Sequence, residues 1–167
     1  MISYKLNSIK LFICILDIIL VTKVLPESYF IETDDISPIG NDRGPWIQPF
    51  GTLPIPSAIE HSLSAITDGF SEGLQPQLTD EGTSGSYILK EAAEDAEYPN
   101  PVAVWKPIDE EPFAPNNPRG MKAPFGSETC RPGIKSGESS LREVLAYLLD
   151  HEGFAGVPPT ALVELSH

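Results

Sequence analysis

Cysteine is almost absent from this chain, with only Cys14 and Cys130 among 167 residues. Two thiols so far apart in sequence build neither a disulfide framework nor a zinc site, and such sparing use fits a reducing compartment. Cationic side chains are also scarce, with 11 Lys plus Arg against 24 Asp plus Glu and a formal charge of −13. Electrostatic binding of nucleic acid needs clustered bases to neutralise phosphates, so nucleic acid is not an expected partner. No apolar run reaches the roughly 20 residues of a spanning helix. The longest, Leu11 to Val21, is interrupted by Asp17, and an aspartate at a helix centre costs about 2.5–3.5 kcal/mol on insertion scales. Histidines are few, and none, His61 included, has a second His or Cys at ligand spacing. No metal ligand set is therefore expected. Aromatics make up only 8% of the chain whereas prolines number 17, so part of the chain is expected to build no core.

The chain divides into three parts. Residues 1–25 hold three lysines, one aspartate and the apolar run, which reads as a signal or anchor segment or else as an N-terminus outside the folded domain. Residues 26–77 are acidic and rich in Pro and Gly, the composition of a largely disordered linker. Inside that linker Ile59, Leu63 and Ile66 sit at helical spacing, with Ser57 as a candidate N-cap for a short amphipathic helix. Residues 78–167 carry the folded pattern of strand, turn, strand and helix.

Three features of that last block bear on chemistry. Gly82-Thr-Ser-Gly-Ser86 is a glycine-rich turn leading into the β-like Tyr87-Ile-Leu-Lys90. Such a turn is either a simple hairpin or a cradle whose N–H groups meet phosphate oxygens. Pro101-Val-Ala-Val-Trp-Lys-Pro107 is the most strand-like run; alternation places Val102, Val104 and Lys106 on one face and Ala103 and Trp105 on the other. Lys106 then either snorkels to solvent or holds an anion. From Glu138 to His151, the spacing of Leu141, Val144, Leu145 and Leu148 predicts an amphipathic helix with that stripe inward. Glu143 on this helix either closes a capping box onto Ser140 or reaches Lys106. The acids Asp109-Glu-Glu111 diverge along an extended segment and read as a solvated loop rather than a cation site. A glycine turn, a strand lysine and a helix glutamate together make the nucleotide-holding half of a phosphoryl-transfer site, in which positioning and charge neutralisation do the catalysis.

The strings Gly82-Thr-Ser-Gly-Ser-Tyr87, Val102-Ala-Val-Trp-Lys-Pro-Ile-Asp-Glu-Glu-Pro-Phe-Ala-Pro-Asn-Asn-Pro-Arg-Gly120, Arg142-Glu-Val-Leu-Ala-Tyr-Leu-Leu-Asp-His151 and Val157-Pro-Pro-Thr-Ala-Leu-Val163 resemble the phosphatidylinositol 3- and 4-kinase catalytic family, and within it the type II and gamma-type phosphatidylinositol 4-kinases. The resemblance covers about residues 78–167. It implies an α+β kinase-like N-lobe, a small antiparallel sheet plus one long helix. It also implies ATP binding by Ser84, Gly85, Ser86, Tyr87, Ile88, Leu89, Lys90 and Lys106, with Glu143 as the lysine's partner and Glu111, Pro112 and Phe113 at the lipid substrate. The expected partners are ATP with Mg²⁺ and phosphatidylinositol at a membrane surface, for a cytoplasmic, peripheral protein. The family's catalytic aspartate and Mg²⁺ ligands correspond to positions beyond His167, so the expectation is an ATP-binding lobe without its catalytic lobe, or a non-catalytic remnant acting as a binding or regulatory fragment. Where type II enzymes carry a palmitoylated cysteine-rich segment, residues 119–137 hold the single Cys130.

Overall fold

The computed structural model describes residues 19–22, 45–50, 55–92 and 99–166, the first of these as backbone. The fold is α+β. Strands β1 (Ile19–Thr22), β2 (Trp46–Pro49), β3 (Gln77–Leu78), β4 (Tyr87–Glu91), β5 (Asn100–Pro107) and β6 (Thr160–Ser166) form one sheet in the order β2-β6-β1-β5-β4-β3, with helices α1 (Ser57–Ser71) and α2 (Ser139–Leu149). Two antiparallel groups, β2 with β6 and β3 with β4 and β5, are joined by β1, which runs parallel to both β5 and β6. The sheet is thus larger and more mixed than the small antiparallel one expected. The end of the Leu11–Val21 run belongs to its centre, since Ile19, Leu20 and Val21 pair with Val104, Trp105 and Lys106. The remainder of the expected signal or anchor segment lies outside the described residues, as do residues 26–44 and 51–54 of the expected linker.

The expected linker also contributes the fold's main packing helix, so the sheet carries two helices rather than one. Ile59, Leu63, Ile66 and Phe70 recur at intervals of four, three and four, and all are buried against Ile47, Leu89, Ala103, Ala161 and Val163. Burying an apolar side chain of this size contributes about 1.5–3 kcal/mol. Four on one helix outweigh the proline- and glycine-rich composition around them. Pro56, not Ser57, stands at the N-cap; its carbonyl accepts from the N–H of Ile59 at 2.9 Å and its fixed φ of −56° leads into the first turn. The helix ends where Gly73 turns to φ 87° and the Leu74 N–H reaches back to Gly69 O at 2.9 Å.

Gly69 sets how closely α1 approaches the sheet. A Cβ there would lie 2.7 Å from the Lys90 carbonyl oxygen, a backbone atom that cannot swing aside. Gly69→Ala should therefore destabilise the fold by about 1–3 kcal/mol, the usual effect of overpacking. Urea unfolding of the variant reads this directly, and a midpoint equal to the native one contradicts the packing described.

Helix α2 forms within the expected range but is rotated from the expected orientation. Only Ser140 and Val144 are buried along it, whereas Leu141, Leu145 and Leu148 of the expected inner stripe are each at least 50% exposed, with Leu149 and Phe154 more so. Apolar spacing identifies the helix but does not fix its rotation, which here turns Glu143 and Val144 toward the sheet. Alternation along β5 separates the two faces: Ala103 and Trp105 pack with the α1 cluster, and Lys106 points to α2. Val102, expected with Val104 and Lys106, packs against the α1-side cluster beside the register shift between Leu89 and Lys90.

Candidate functional site

Lys106 lies at the end of β5, and its Nζ donates to Glu143 Oε1 of α2 at 2.6 Å. Both side chains are about one-third exposed, at 32% and 34%, so the ammonium is held yet still faces solvent. An exposed ion pair contributes only about 0–1 kcal/mol, so orientation rather than stability is what this one supplies. The capping-box alternative for Glu143 is not what forms, because no side chain of α2 caps its own N-terminus.

The cap comes from Glu111. Its Oε2 accepts from the Gly137 N–H at 2.8 Å, and its Oε1 accepts from the N–H groups of Ser139 and Ser140 at 3.1 and 3.3 Å. The N–H groups of Ser139 and Ser140 are orphan donors of the helix start, that of Gly137 lies just before the N-cap, and a carboxylate also complements the positive end of the helix. Glu111 is only 6% exposed, and its carboxylate is engaged at the start of α2 rather than turned to solvent, where a lipid substrate was expected to meet it. Pro112 and Phe113 beside it are half-buried. Phe113 has φ 65°, held by its N–H bond to Met121 O at 2.8 Å. A non-glycine residue in that region costs about 1–3 kcal/mol and persists only where neighbours enforce it.

The other two acids of the triplet are bonded as well, so the loop is not a solvated one. Asp109 accepts from Asn116 Nδ2 at 2.8 Å, and Glu110 Oε2 accepts from the Tyr87 hydroxyl at 2.7 Å. Burial, the Glu110 bond and the Glu110 charge push the Tyr87 phenol up to about 12. Burial also raises the Glu110 carboxyl, with the Tyr87 bond opposing it.

The glycine-rich turn is the β3–β4 connection, closed by the Thr79 N–H bond to Ser86 O at 2.9 Å. It sits beside the Lys106 end of β5, since Tyr87 pairs with Trp105 and their rings lie 5.1 Å apart. Gly85 is required by close approach: its N–H bonds Glu110 O at 3.0 Å, and a Cβ would fall 2.0 Å from Glu110 Oε2. Of the residues expected around a nucleotide, Tyr87 faces Trp105 and Leu89 is buried in the α1-side core. Ile88, paired with Val104, alternates onto the face of Lys106.

Asn117 is the residue the sequence reading missed. It is completely buried, and its Nδ2 donates to the carbonyls of Thr83, Glu110 and Glu111 at 2.8, 3.0 and 3.1 Å. Its Oδ1 accepts from the N–H groups of Arg119 and Met121 at 2.9 and 3.1 Å. Arg119 in turn bonds the carbonyls of Thr79 and Asp80. The segment after Lys106 is therefore a scaffold that grips the glycine turn.

The chain is similar to phosphatidylinositol 4-kinases. It is 42% identical over 124 residues to phosphatidylinositol 4-kinase gamma 8 of Arabidopsis thaliana, covering 74% of this chain and 22% of that protein. It is 39% identical over 143 residues to gamma 6 of the same plant, covering 81% of this chain and 22% of the relative. For gamma 4 of Oryza sativa the figures are 39% over 127 residues, 70% and 22%. The chain thus spans about a fifth of the length of these curated relatives. No family model matches, and no solved structure matches.

Past α2, Asp150 closes the following loop by accepting from the N–H groups of Ala155 and Val157 at 2.7 and 2.8 Å. These two bonds hold its carboxyl below the ordinary carboxylate value. A carboxyl depressed in the folded state contributes stability above its unfolded pKa, and that contribution is lost as pH falls through the native value. The Ala155 and Val157 amide resonances should therefore share one acid titration below the ordinary aspartate range. A shared titration at or above that range sinks the assignment. Among the described residues no group of three or more His, Cys, Asp or Glu is placed to hold a metal, and no helix is long and apolar enough to cross a membrane. Cys130 is an exposed free thiol.

Proposed function

We propose that this chain is the ATP-holding, N-lobe-like portion of a phosphatidylinositol 4-kinase-like lipid kinase. The observation that carries the reading is the 2.6 Å bond from Lys106 to Glu143, made across 37 residues at the end of the sheet where the glycine turn is gripped. Lys106 would place its ammonium on the phosphates and Glu143 would hold it there, so charge neutralisation needs no rearrangement at the moment of transfer. The backbone of residues 84–86 lies beside the phosphates, and the purine rests on the Ile88 and Val104 face. Tyr87, Leu89 and Lys90 shape the strand behind it. Pro112 and Phe113 remain for the lipid side, at a cytoplasmic membrane surface. Mg²⁺ would arrive with ATP.

Titration of MgATP into the ¹⁵N-labelled chain tests this. The amides of Gly85, Ser86 and Lys106 should shift with weak, millimolar-range saturation, and Lys106→Met should weaken binding about tenfold or more, the loss of a charge-assisted contact. Shifts that are absent, or unchanged in Lys106→Met, overturn the reading.

The exposed row Leu141, Leu145, Leu148 and Leu149 favours a second reading, a non-catalytic fragment that binds a partner through α2. That reading predicts no response to MgATP and loss of association in Leu145→Glu.

A further inference from the structure

Two parts of the proposed nucleotide site come from distant stretches of chain, the glycine turn before β4 and Glu143 on α2. One residue touches the supports of both. The Glu111 carboxylate takes the N–H groups of Gly137, Ser139 and Ser140, which fixes the start of α2 one turn before Glu143. The Glu111 carbonyl accepts from Asn117 Nδ2, and the same amide group holds Thr83 O in the glycine turn. Glu111 also follows Lys106 by only five residues, through Pro107 and the 3₁₀ turn Ile108–Glu110.

We propose that Glu111 is a positioning residue that sets the Lys106–Glu143 pair, and that Asn117 ties this setting to the glycine turn. This rests on the ATP-site reading for its functional meaning but not for its geometry. Helix α2 has only Ser140 and Val144 buried and half-exposed leucines along it, so packing alone defines its position weakly. A charged acceptor bonded to the N–H groups of Ser139 and Ser140 in its first turn, and to that of Gly137 just before it, locks both its axial position and its rotation, and Glu143 follows as part of the same rigid helix. With the Glu111 carboxylate neutralised or shortened, the helix start is released and the carboxylate of Glu143 leaves the ammonium of Lys106. The lysine would then be present but unaligned.

The test needs no nucleotide. An amine held by a carboxylate acylates more slowly than a free one, so trace labelling with acetic anhydride reads the pair at Lys106, with Lys90 and Lys122 as references in the same sample. Glu143→Gln should raise Lys106 labelling about threefold to fivefold, the range of a partly exposed ion pair. Glu111→Gln should raise it equally and selectively, and the double variant should add nothing further. Glu111→Asp keeps the charge but draws it back by one methylene, and should give a smaller, still selective rise. If Glu111→Gln raises all lysines together, the fold has been lost and Glu111→Asp decides. Native Lys106 labelling in a folded Glu111 variant, or additive effects in the double variant, overturns the proposal. Failure of MgATP binding with this coupling intact would remove the ATP reading and leave the positioning role standing.

Discussion

Replacing Asn117 with leucine should cost about 4 kcal/mol, most of the stability of a domain at the low end of the usual range. The side chain is 0% exposed and uses both ends of its amide, giving to three carbonyls and accepting from two N–H groups. Leucine matches its size but offers no polar atom. Each buried partner left unsatisfied costs about 1–3 kcal/mol, and the five are close enough that some recover by relaxing toward one another. Small domains have only about 5–15 kcal/mol in all. Chemical denaturation should show the loss, and residues 79–87 should lose amide protection first. A variant with native stability means that the loop is held by something other than Asn117.

Glu111→Ala should cost about 3 kcal/mol, with a different signature. Three N–H groups at the start of α2 lose a charged acceptor, and hydrogen bonds to charged groups are worth about 1.5–3 kcal/mol each before relaxation. Unlike the Asn117 site, the helix start is partly exposed, so water recovers some of the loss. Circular dichroism should show fraying of α2 before global unfolding, while α1 persists because its four buried apolar residues do not depend on Glu111. Simultaneous loss of both helices contradicts this picture.

The sequence made one half of the site legible and hid the other. Lys106 and Glu143 could be paired on paper because strand alternation and helical spacing give each a direction, and their contact needs only that α2 lie over β5. Glu111 had no such signal. It caps a helix that begins 28 residues later, and its neighbours Asp109 and Glu110 make it look like one of three solvated acids. Asn117 stands in Ala-Pro-Asn-Asn-Pro-Arg-Gly, a composition that reads as an ordinary turn although it closes contacts across 34 residues. The fold was underestimated for a related reason. Prolines and glycines around α1 suggested a linker, yet the four apolar residues between them follow helical spacing and decide the outcome. Leu141, Leu145 and Leu148 form the most obvious stripe along α2, yet the buried side of the helix is that of Ser140 and Val144, which apolar spacing alone does not single out.

The pair over a gripped glycine turn stands or falls most directly on a crystal structure of this chain soaked with a non-hydrolysable MgATP analogue. The account predicts the triphosphate between the backbone of residues 84–86 and Lys106 Nζ, the purine against Ile88 and Val104, and Glu143 still within hydrogen-bonding range of Lys106, roughly 2.7–3.2 Å. A nucleotide seated elsewhere, as in the apolar cleft of Val144, Tyr147 and Leu148, with Lys106 untouched, would contradict it.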